Sequence, residues 1–319
     1  MITYNHEKFI AQAIESVLMQ EVNFDYELII GEDCSTDSTR EIIIAYQKKH
    51  PDKIRLLLHE KNLGGPIPGK RNFMQTLGAA QGQYITLLEG DDFWTSSHKL
   101  QKQSDFLDVH SDFAMCFHNA TTVFDGEPEK SQLFYEGEQK AVFTIEDLIP
   151  RNIMVAASVM FRRGLFGEFP EWFHQVWTGD WALHILNAQY GKIGYLNEVM
   201  AAYRVHNNGV WSGRDMIPVT HDAITLFRHV DKHLGYKYHH AIMERIAYNY
   251  YELAYLYEQR GSIKRARRAA IKSFWLLPSR ETAMRRHRLK LIVRLYNSNL
   301  YHSLDRLIRP HIKSFRTGK

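Results

Sequence analysis

The chain has 319 residues, 45% of them hydrophobic and 24% charged, with 2 cysteines, Cys34 and Cys116. That is enough to bury a core unaided, and too ordinary for a collagen-like, disordered or disulfide-framework protein. No apolar run approaches the roughly 20 residues of a bilayer span, no signal peptide is read at the start, and the two thiols point to a reducing compartment. The formal charge of +4 hides a split: residues 261–319 hold 16 basic and 2 acidic residues, whereas the first 260 hold 24 and 34. An acidic body is followed by a basic tail.

Met1-Ile2-Thr3 has the character of a strand's last residues; a central strand needs about five, so the strand is expected to begin upstream of Met1. Helical periodicity follows, with Phe9, Ile10, Ala13, Ile14, Val17 and Leu18 on one face and Asn5 expected as N-cap. Tyr26-Glu27-Leu28-Ile29-Ile30 predicts a buried strand. Ser38 and Glu41 have capping-box spacing for the next helix, which carries Ile42, Ile43 and Tyr46. Ile54 to Leu58 is a third apolar run, a helix follows from about Arg71 to Ala80, and Tyr84-Ile85-Thr86-Leu87-Leu88 reads as another strand. Strands alternating with helices predict an α/β domain with a parallel sheet covered on both faces. Ligands of such sheets bind at the carboxyl ends of the strands. From Ala114 to Arg163 the pattern is mixed, with strands at Ala114–Asn119 and Ser158–Phe161 and a polar loop from Asp125 to Gln139. After about residue 215 only helix is read. Tyr248 to Pro278 resembles one tetratricopeptide-type hairpin, with small residues on both sides of a Gly turn and a closing Pro. One such unit cannot form a solenoid and is expected to pack against the body.

Polar residues just past strand ends carry the chemistry. Glu89-Gly90-Asp91-Asp92 closes a strand, and adjacent carboxylates there suit a hard divalent cation that keeps sites for phosphates; a solvated acidic turn is the bland alternative. Gly31-Glu32-Asp33-Cys34-Ser35-Thr36-Asp37 also follows a strand. Helix capping accounts for Ser35, Thr36 and Asp37, but not for Asp33. Gly64 to Lys70 matches the start of a P-loop, yet Arg71 stands where a magnesium-binding Ser/Thr is required. That argues against a nucleotide triphosphatase and leaves Lys70 or Arg71 to meet a diphosphate. Asp180, within Trp177-Thr178-Gly179-Asp180-Trp181, stands at an apparent helix start, as an N-cap, a general base or both. Tyr203-Arg204-Val205-His206-Asn207-Asn208 brings Arg and His to a turn; a lone His is more often structural than functional.

Taken in order, Thr3-Tyr4-Asn5, Glu32 to Asp37, Asn62-Leu63-Gly64, Lys70-Arg71-Asn72, Glu89 to Asp92, Gly179-Asp180-Trp181 and Tyr203 to His206 resemble family 2 glycosyltransferases. The resemblance runs from Met1 to about Ser212. Cys34 replaces the usual Gly, and Glu89 replaces the Asp that often opens the acidic motif. It implies a GT-A fold, Rossmann-like and mostly parallel, over residues 1–214; the helical pattern and the charge assign residues 215–319 to a basic extension beyond it. It further implies inverting transfer of a sugar from a nucleotide-diphosphate sugar to a hydroxyl of a saccharide or lipid-linked acceptor, in bacterial cell-surface polysaccharide or lipopolysaccharide assembly. Thr3 and Asp33 would hold the base, with Arg71 and Arg204 on the nucleotide sugar and Asp91 near the ribose. Asp92, with His206, would bind Mn²⁺ or Mg²⁺, and Asp180 would be the catalytic base.

Two other classes compete. A glycoside hydrolase needs two opposed carboxyls and no nucleotide, which the ordered nucleotide-loop motifs oppose. A non-catalytic interaction protein is opposed by the intact Asp91, Asp92 and Asp180. The tail, with Arg265, Arg267, Arg268, Arg285, Arg286, Arg288 and Lys290 among aromatics and leucines, shows no base-reading module, so nucleic acid is not expected. Two readings remain, an anionic membrane surface and a merely solvated basic face; the first places the protein in the cytoplasm at the inner face of the cell membrane.

Overall fold

The computed structural model describes residues 1–65, 67–207, 209, 214–276 and 282–297. Asn208, Ser212, Pro278 and residues 298–319 lie outside the described residues, as does the side chain of Arg285. The chain divides into two compact units, Met1–Arg214 and Asp215–Lys319.

The first unit begins with three parallel strands in the order β1-β2-β3, where β1 is Ile2–Thr3, β2 is Leu28–Glu32 and β3 is Ile54–Leu58. β2 is buried along its whole length, the condition under which a strand reads as an apolar run rather than an alternation. Its one charge, Glu32, is fully buried and paired with Arg40, which offsets the desolvation of the carboxylate. Helix α1 (Ile10–Leu18) turns Ile10, Ala13, Ile14 and Val17 into the core, an i, i+3, i+4, i+7 face. Asn5 does not cap it. The helix starts after Phe9, and Asn5 takes the left-handed region at φ 56°, with its Oδ1 accepting from the Thr36 amide at 2.8 Å. Helix α2 (Thr39–Lys49) likewise departs from expectation. Ser38 flanks it but makes no cap bond; Asp37 accepts from the Thr39 amide instead, at 3.0 Å. Helix α3 (Lys70–Gly78) packs so closely on β2 that Gly31 has no room for a side chain. A Cβ there would lie 1.9 Å from Thr76 Oγ1 and 2.3 Å from Asn72 Oδ1.

The second half of this unit is a mixed sheet. β4 (Tyr84–Thr86), β5 (Phe93–Trp94), β6 (Phe113–Phe124), β9 (Met160–Arg162) and β10 (Lys192–Val205) run in the order β4-β9-β6-β10-β5, with β7 (Gln132–Leu133) on β6 and β8 (Val142–Phe143) on β10. β6 and β10 pair in parallel from Phe113↔Lys192 to Phe124↔Val205, and the other pairings are antiparallel. β7 crosses the stretch read as polar loop. An isolated parallel bridge from Ile2 to Glu89 joins β1 to the chain beyond β4, and Gly90 N–H donates to Ile2 O at 2.9 Å. That bridge carries the acidic motif to the carboxyl ends of β1 and β2. Helix α4 (Lys99–Val109) and α5 (Ile145–Leu148) precede α6 (Gly179–Ala188), which is buried from Trp181 to Ala188.

The second unit is helical: α7 (Met216–His233), α8 (His239–Gln259), α9 (Ile263–Leu276) and α10 (Thr282–Tyr296). Asp215 caps α7 by accepting from Ile217 N and is gripped by both terminal nitrogens of Arg260. Gly261, at φ 69°, turns α8 into α9. Both helices bury small residues, Ala247 and Ala254 on α8 and Ala266, Ala269, Ala270 and Ser273 on α9, and the Ser273 hydroxyl donates across to Ala247 O at 2.6 Å.

Candidate active site

The strand ends bring the candidate residues into two adjoining groups. In the first, Asp33 follows β2 and its amide donates to Thr3 O at the end of β1. The Asp33 carboxylate accepts from the Leu63 amide at 2.7 Å, and its carbonyl accepts from Asn62 Nδ2 at 2.9 Å. Arg71, in the first turn of α3, donates from Nη1 to Leu63 O at 3.1 Å. Asp33 and Arg71 therefore clasp the same loop from two sides. Cys34 holds φ 60°, a left-handed backbone that glycine adopts without cost, which accounts physically for the glycine usual at this position in the resembled family.

The second group centres on Asp91. Its Oδ2 lies 3.1 Å from His206 Nε2 and 3.7 Å from His6 Nε2. Asp92 is buried, and its Oδ1 accepts from the Arg204 amide at 2.8 Å. Arg204 Nε donates to Asp91 O at 2.8 Å and its Nη2 to Gln12 Oε1 at 2.7 Å, while the guanidinium lies over Phe9 and Phe93. Arg204 thus fastens β10 to the acidic turn, and His206 pairs with Asp91 rather than Asp92. Asp180, in the first turn of α6, accepts from Asn152 Nδ2 at 2.9 Å.

The carboxylates feel one another. Burial pushes Glu89 up to about 8, and the charges of Asp91 and Asp180 add to it. Burial also drives Asp92 well above the carboxylate range, followed by Asp91 and Glu89, against the pull of the Arg204 amide and guanidinium. The Tyr203 phenol is raised by burial and then by Asp92, Glu89, Asp91 and Asp180. Burial lowers His6, with Asp91 opposing and His206 reinforcing the shift.

Among the described residues, no three His, Cys, Asp or Glu side chains form a ready-made metal cage. The donor set nevertheless fits a hard divalent cation. Asp91 Oδ1 is buried without a hydrogen-bond partner, as are Thr3 Oγ1 and His6 Nδ1, and buried carboxylates in excess of nearby cations are costly until a cation arrives. Such ions take one or two protein carboxylates and leave the remaining positions to phosphate oxygens and water. Thr3 Oγ1 and His6 Nδ1 both face Gly90, where a Cβ would come within 2.7 and 2.8 Å of them.

His6 and Asn152 were invisible as site residues in the sequence. His6 lies in an irregular lead-in to α1, and Asn152 in a stretch without periodicity. Only the folded chain sets them against Asp91 and Asp180.

The sequence profile of Glycosyl transferase family 2 matches residues 1–169. An uncharacterized protein of Mycobacterium tuberculosis is 36% identical over 211 residues, 66% of this chain and 59% of that protein. The match thus spans less than two thirds of that relative's own length. The putative teichuronic acid biosynthesis glycosyltransferase TuaG of Bacillus subtilis is 30% identical over 214 residues, 66% of this chain and 80% of TuaG. TarS of Staphylococcus aureus, a poly(ribitol-phosphate) beta-N-acetylglucosaminyltransferase, is 34% identical over 110 residues, 34% of this chain and 18% of TarS. Residues 1–349 of TarS, solved with UDP-GlcNAc, superpose with a TM-score of 0.57 at 18% identity, over 94% of this chain and 86% of that one. The fold is GT-A-like.

Proposed function

Because the chain belongs to Glycosyl transferase family 2, we propose that it is an inverting enzyme that moves a sugar from a nucleotide-diphosphate sugar to an acceptor hydroxyl in cell-surface polysaccharide assembly. The observation that carries this reading is the acidic turn itself, where Asp91 Oδ2 lies 3.1 Å from His206 Nε2 and the buried Asp92 accepts from the Arg204 amide at 2.8 Å, with Asp180 held by Asn152 in the first turn of α6. The relatives support the context, since TuaG is named for teichuronic acid biosynthesis, TarS for N-acetylglucosaminyl transfer to poly(ribitol-phosphate), and TarS was solved with UDP-GlcNAc.

The base of the donor would lie over Thr3 and Asp33 with its ribose near Asp91, and Arg71 stands at the edge of the nucleotide loop, its guanidinium directed along Leu63 and Gly65. Asp91 and Asp92, with His206, would hold Mn²⁺ or Mg²⁺, which when bound neutralises charge on the diphosphate. Arg204 fixes the turn that presents both acids, so its contribution is to geometry more than to charge. Asn152 fixes one Asp180 oxygen. The Asp180 carboxylate accepts the proton of the acceptor hydroxyl while that oxygen forms its bond to the anomeric carbon. The anomeric carbon–oxygen bond to the diphosphate breaks on the opposite face, and its electron pair leaves with the nucleoside diphosphate. One displacement inverts the configuration. The protein would act in the cytoplasm, where nucleotide sugars are made, at the inner face of the membrane.

Asp180→Asn tests the assignment. A positioned base contributes about 10²–10⁴-fold, so turnover falls by that factor while nucleotide affinity stays within about twofold. Normal turnover by Asp180→Asn would remove Asp180 from the role.

A further inference from the structure

Helix α9 carries a surface that the transfer reaction does not use. At 3.6 residues per turn, Lys264, Trp275, Arg268, Lys272 and Arg265 fall within an arc of about 100°, and all five are exposed. The buried face, formed by Ala266, Ala269, Ala270 and Ser273, lies opposite. Trp275 is 76% exposed, a large apolar ring that no described residue covers over most of its surface, at the end of a row of cations. Neither α9 nor α10 contains an acid. The neighbouring acids of α8 are occupied elsewhere: Glu258 pairs with Arg294, Glu244 lies 3.8 Å from His240, and Glu252 interacts with Arg245 and Tyr248. Among the described residues no carboxylate pairs with the cations of this stripe; Lys272 Nζ lies 5.3 Å from the Tyr250 ring and the Arg265 guanidinium 5.8 Å from the Tyr257 ring, contacts that leave the charge in place.

We infer that this face of α9 rests on an anionic phospholipid surface, with Lys264, Arg265, Arg268 and Lys272 at the headgroup phosphates and the Trp275 ring in the interfacial layer. The cations lie along about 12 Å of helix from Lys264 to Lys272, with the ring one turn further on, a row rather than a pocket, which suits a plane of charge. Tryptophan favours the membrane–water boundary, where its ring is apolar and its N–H is wetted. A single Trp at one end of the row offers no ladder on which successive bases could stack, which sets the lipid plane above single-stranded nucleic acid. The basic residues at 306, 309, 313, 316 and 319 lie outside the described residues, and the inference does not use them. It stands on the second unit alone and is independent of the proposed transfer.

The full chain is sedimented with vesicles rich in phosphatidylglycerol and with vesicles of pure phosphatidylcholine, and tryptophan emission is recorded. Binding to the anionic vesicles only is expected, with a blue shift that Trp275→Ala abolishes. Each lost cation lowers the partition coefficient by about fivefold, so Arg268→Gln with Lys272→Gln lowers it about 25-fold. Should that double variant fail to fold by circular dichroism, Lys264→Gln and Trp275→Ala, changed singly on the exposed face, carry the same test. Wild-type binding unaffected by these changes overturns the inference, as does absence of binding to anionic vesicles. Tighter binding to a single-stranded oligonucleotide, with no Trp275 shift on vesicles, overturns it in favour of nucleic acid. Nucleoside diphosphate release, assayed on soluble substrates, reports the transfer reading separately.

Discussion

Gly90 separates packing at the site from packing elsewhere, and a pair of alanine substitutions reads the difference. A Cβ at Gly90 would lie 2.7 Å from Thr3 Oγ1, 2.8 Å from His6 Nδ1 and 2.9 Å from Thr3 Cβ. Thr3 cannot yield freely, because its Cβ is fixed to β1 and its carbonyl accepts from Asp33 N. Ordinary contacts are about 3.5–4.0 Å, so three atoms would be short by the better part of an ångström, and overpacking of that kind costs about 1–3 kcal/mol. The methyl would also occupy the space onto which the unpartnered Thr3 and His6 atoms open, so nucleotide affinity should fall with stability; a lost hydrogen bond of about 1.5 kcal/mol corresponds to a factor of about ten. Gly78, at the last position of α3, is the control: nothing lies within 4 Å of its added Cβ. Alanine there should be neutral or stabilise by up to about 1 kcal/mol through helix propensity. Urea unfolding followed by tryptophan fluorescence gives both stabilities, and titration with a panel of nucleoside diphosphates gives the affinities. If Gly90→Ala matched Gly78→Ala in both measurements, the proposed ligand face at Thr3 and His6 would be wrong.

Asp92→Ala should remove divalent-cation-dependent transfer, whereas the fold persists because the Arg204 guanidinium still holds Asp91 O; cation titration by calorimetry with wild type and variant checks it, and equal cation affinity would count against Asp92. Lys99 gives a pH dependence. It is fully buried, bonded to Gln103 Oε1 at 2.7 Å and Thr86 Oγ1 at 3.0 Å, and lowered by burial to about 7. Between about 7 and 10.5 the unfolded chain keeps a proton that the folded chain has given up, so this group makes stability rise with pH across that window and stay flat above it. The slope is at most about 1.4 kcal/mol per pH unit. Lys99→Met should flatten it, and urea midpoints from pH 7 to 10 that run parallel for both proteins would refute the assignment.

How much of this was legible beforehand follows from where the signals sit along the chain. The strands and helices of the first ninety residues announced themselves because a buried parallel strand is an apolar run and its helices are amphipathic. The acidic turn, just past β4, and Asp180, in the first turn of α6, stand where one periodic pattern breaks off and another begins. Asn5 was misread because a residue suited to capping is equally suited to a left-handed turn, and only the neighbouring Thr36 amide decides between them. Ser38 lost its capping role to Asp37 one residue away, a choice set by loop geometry. The long parallel pairing of β6 with β10 joins residues some eighty positions apart, and no local pattern encodes a register at that distance. His6 and Asn152 belong with it: each acquires a role through a partner far along the chain.

Sugar transfer from a nucleotide donor is read out by the release of nucleoside diphosphate. The full chain is incubated with a panel of nucleotide sugars and candidate acceptors, with Mn²⁺ or Mg²⁺ and again with a chelator. At least one donor should yield nucleoside diphosphate in step with a glycosylated acceptor of inverted configuration, and chelation should stop both. Binding of nucleotide sugars without any release, or hydrolysis of glycosides in the absence of nucleotide, would contradict the account.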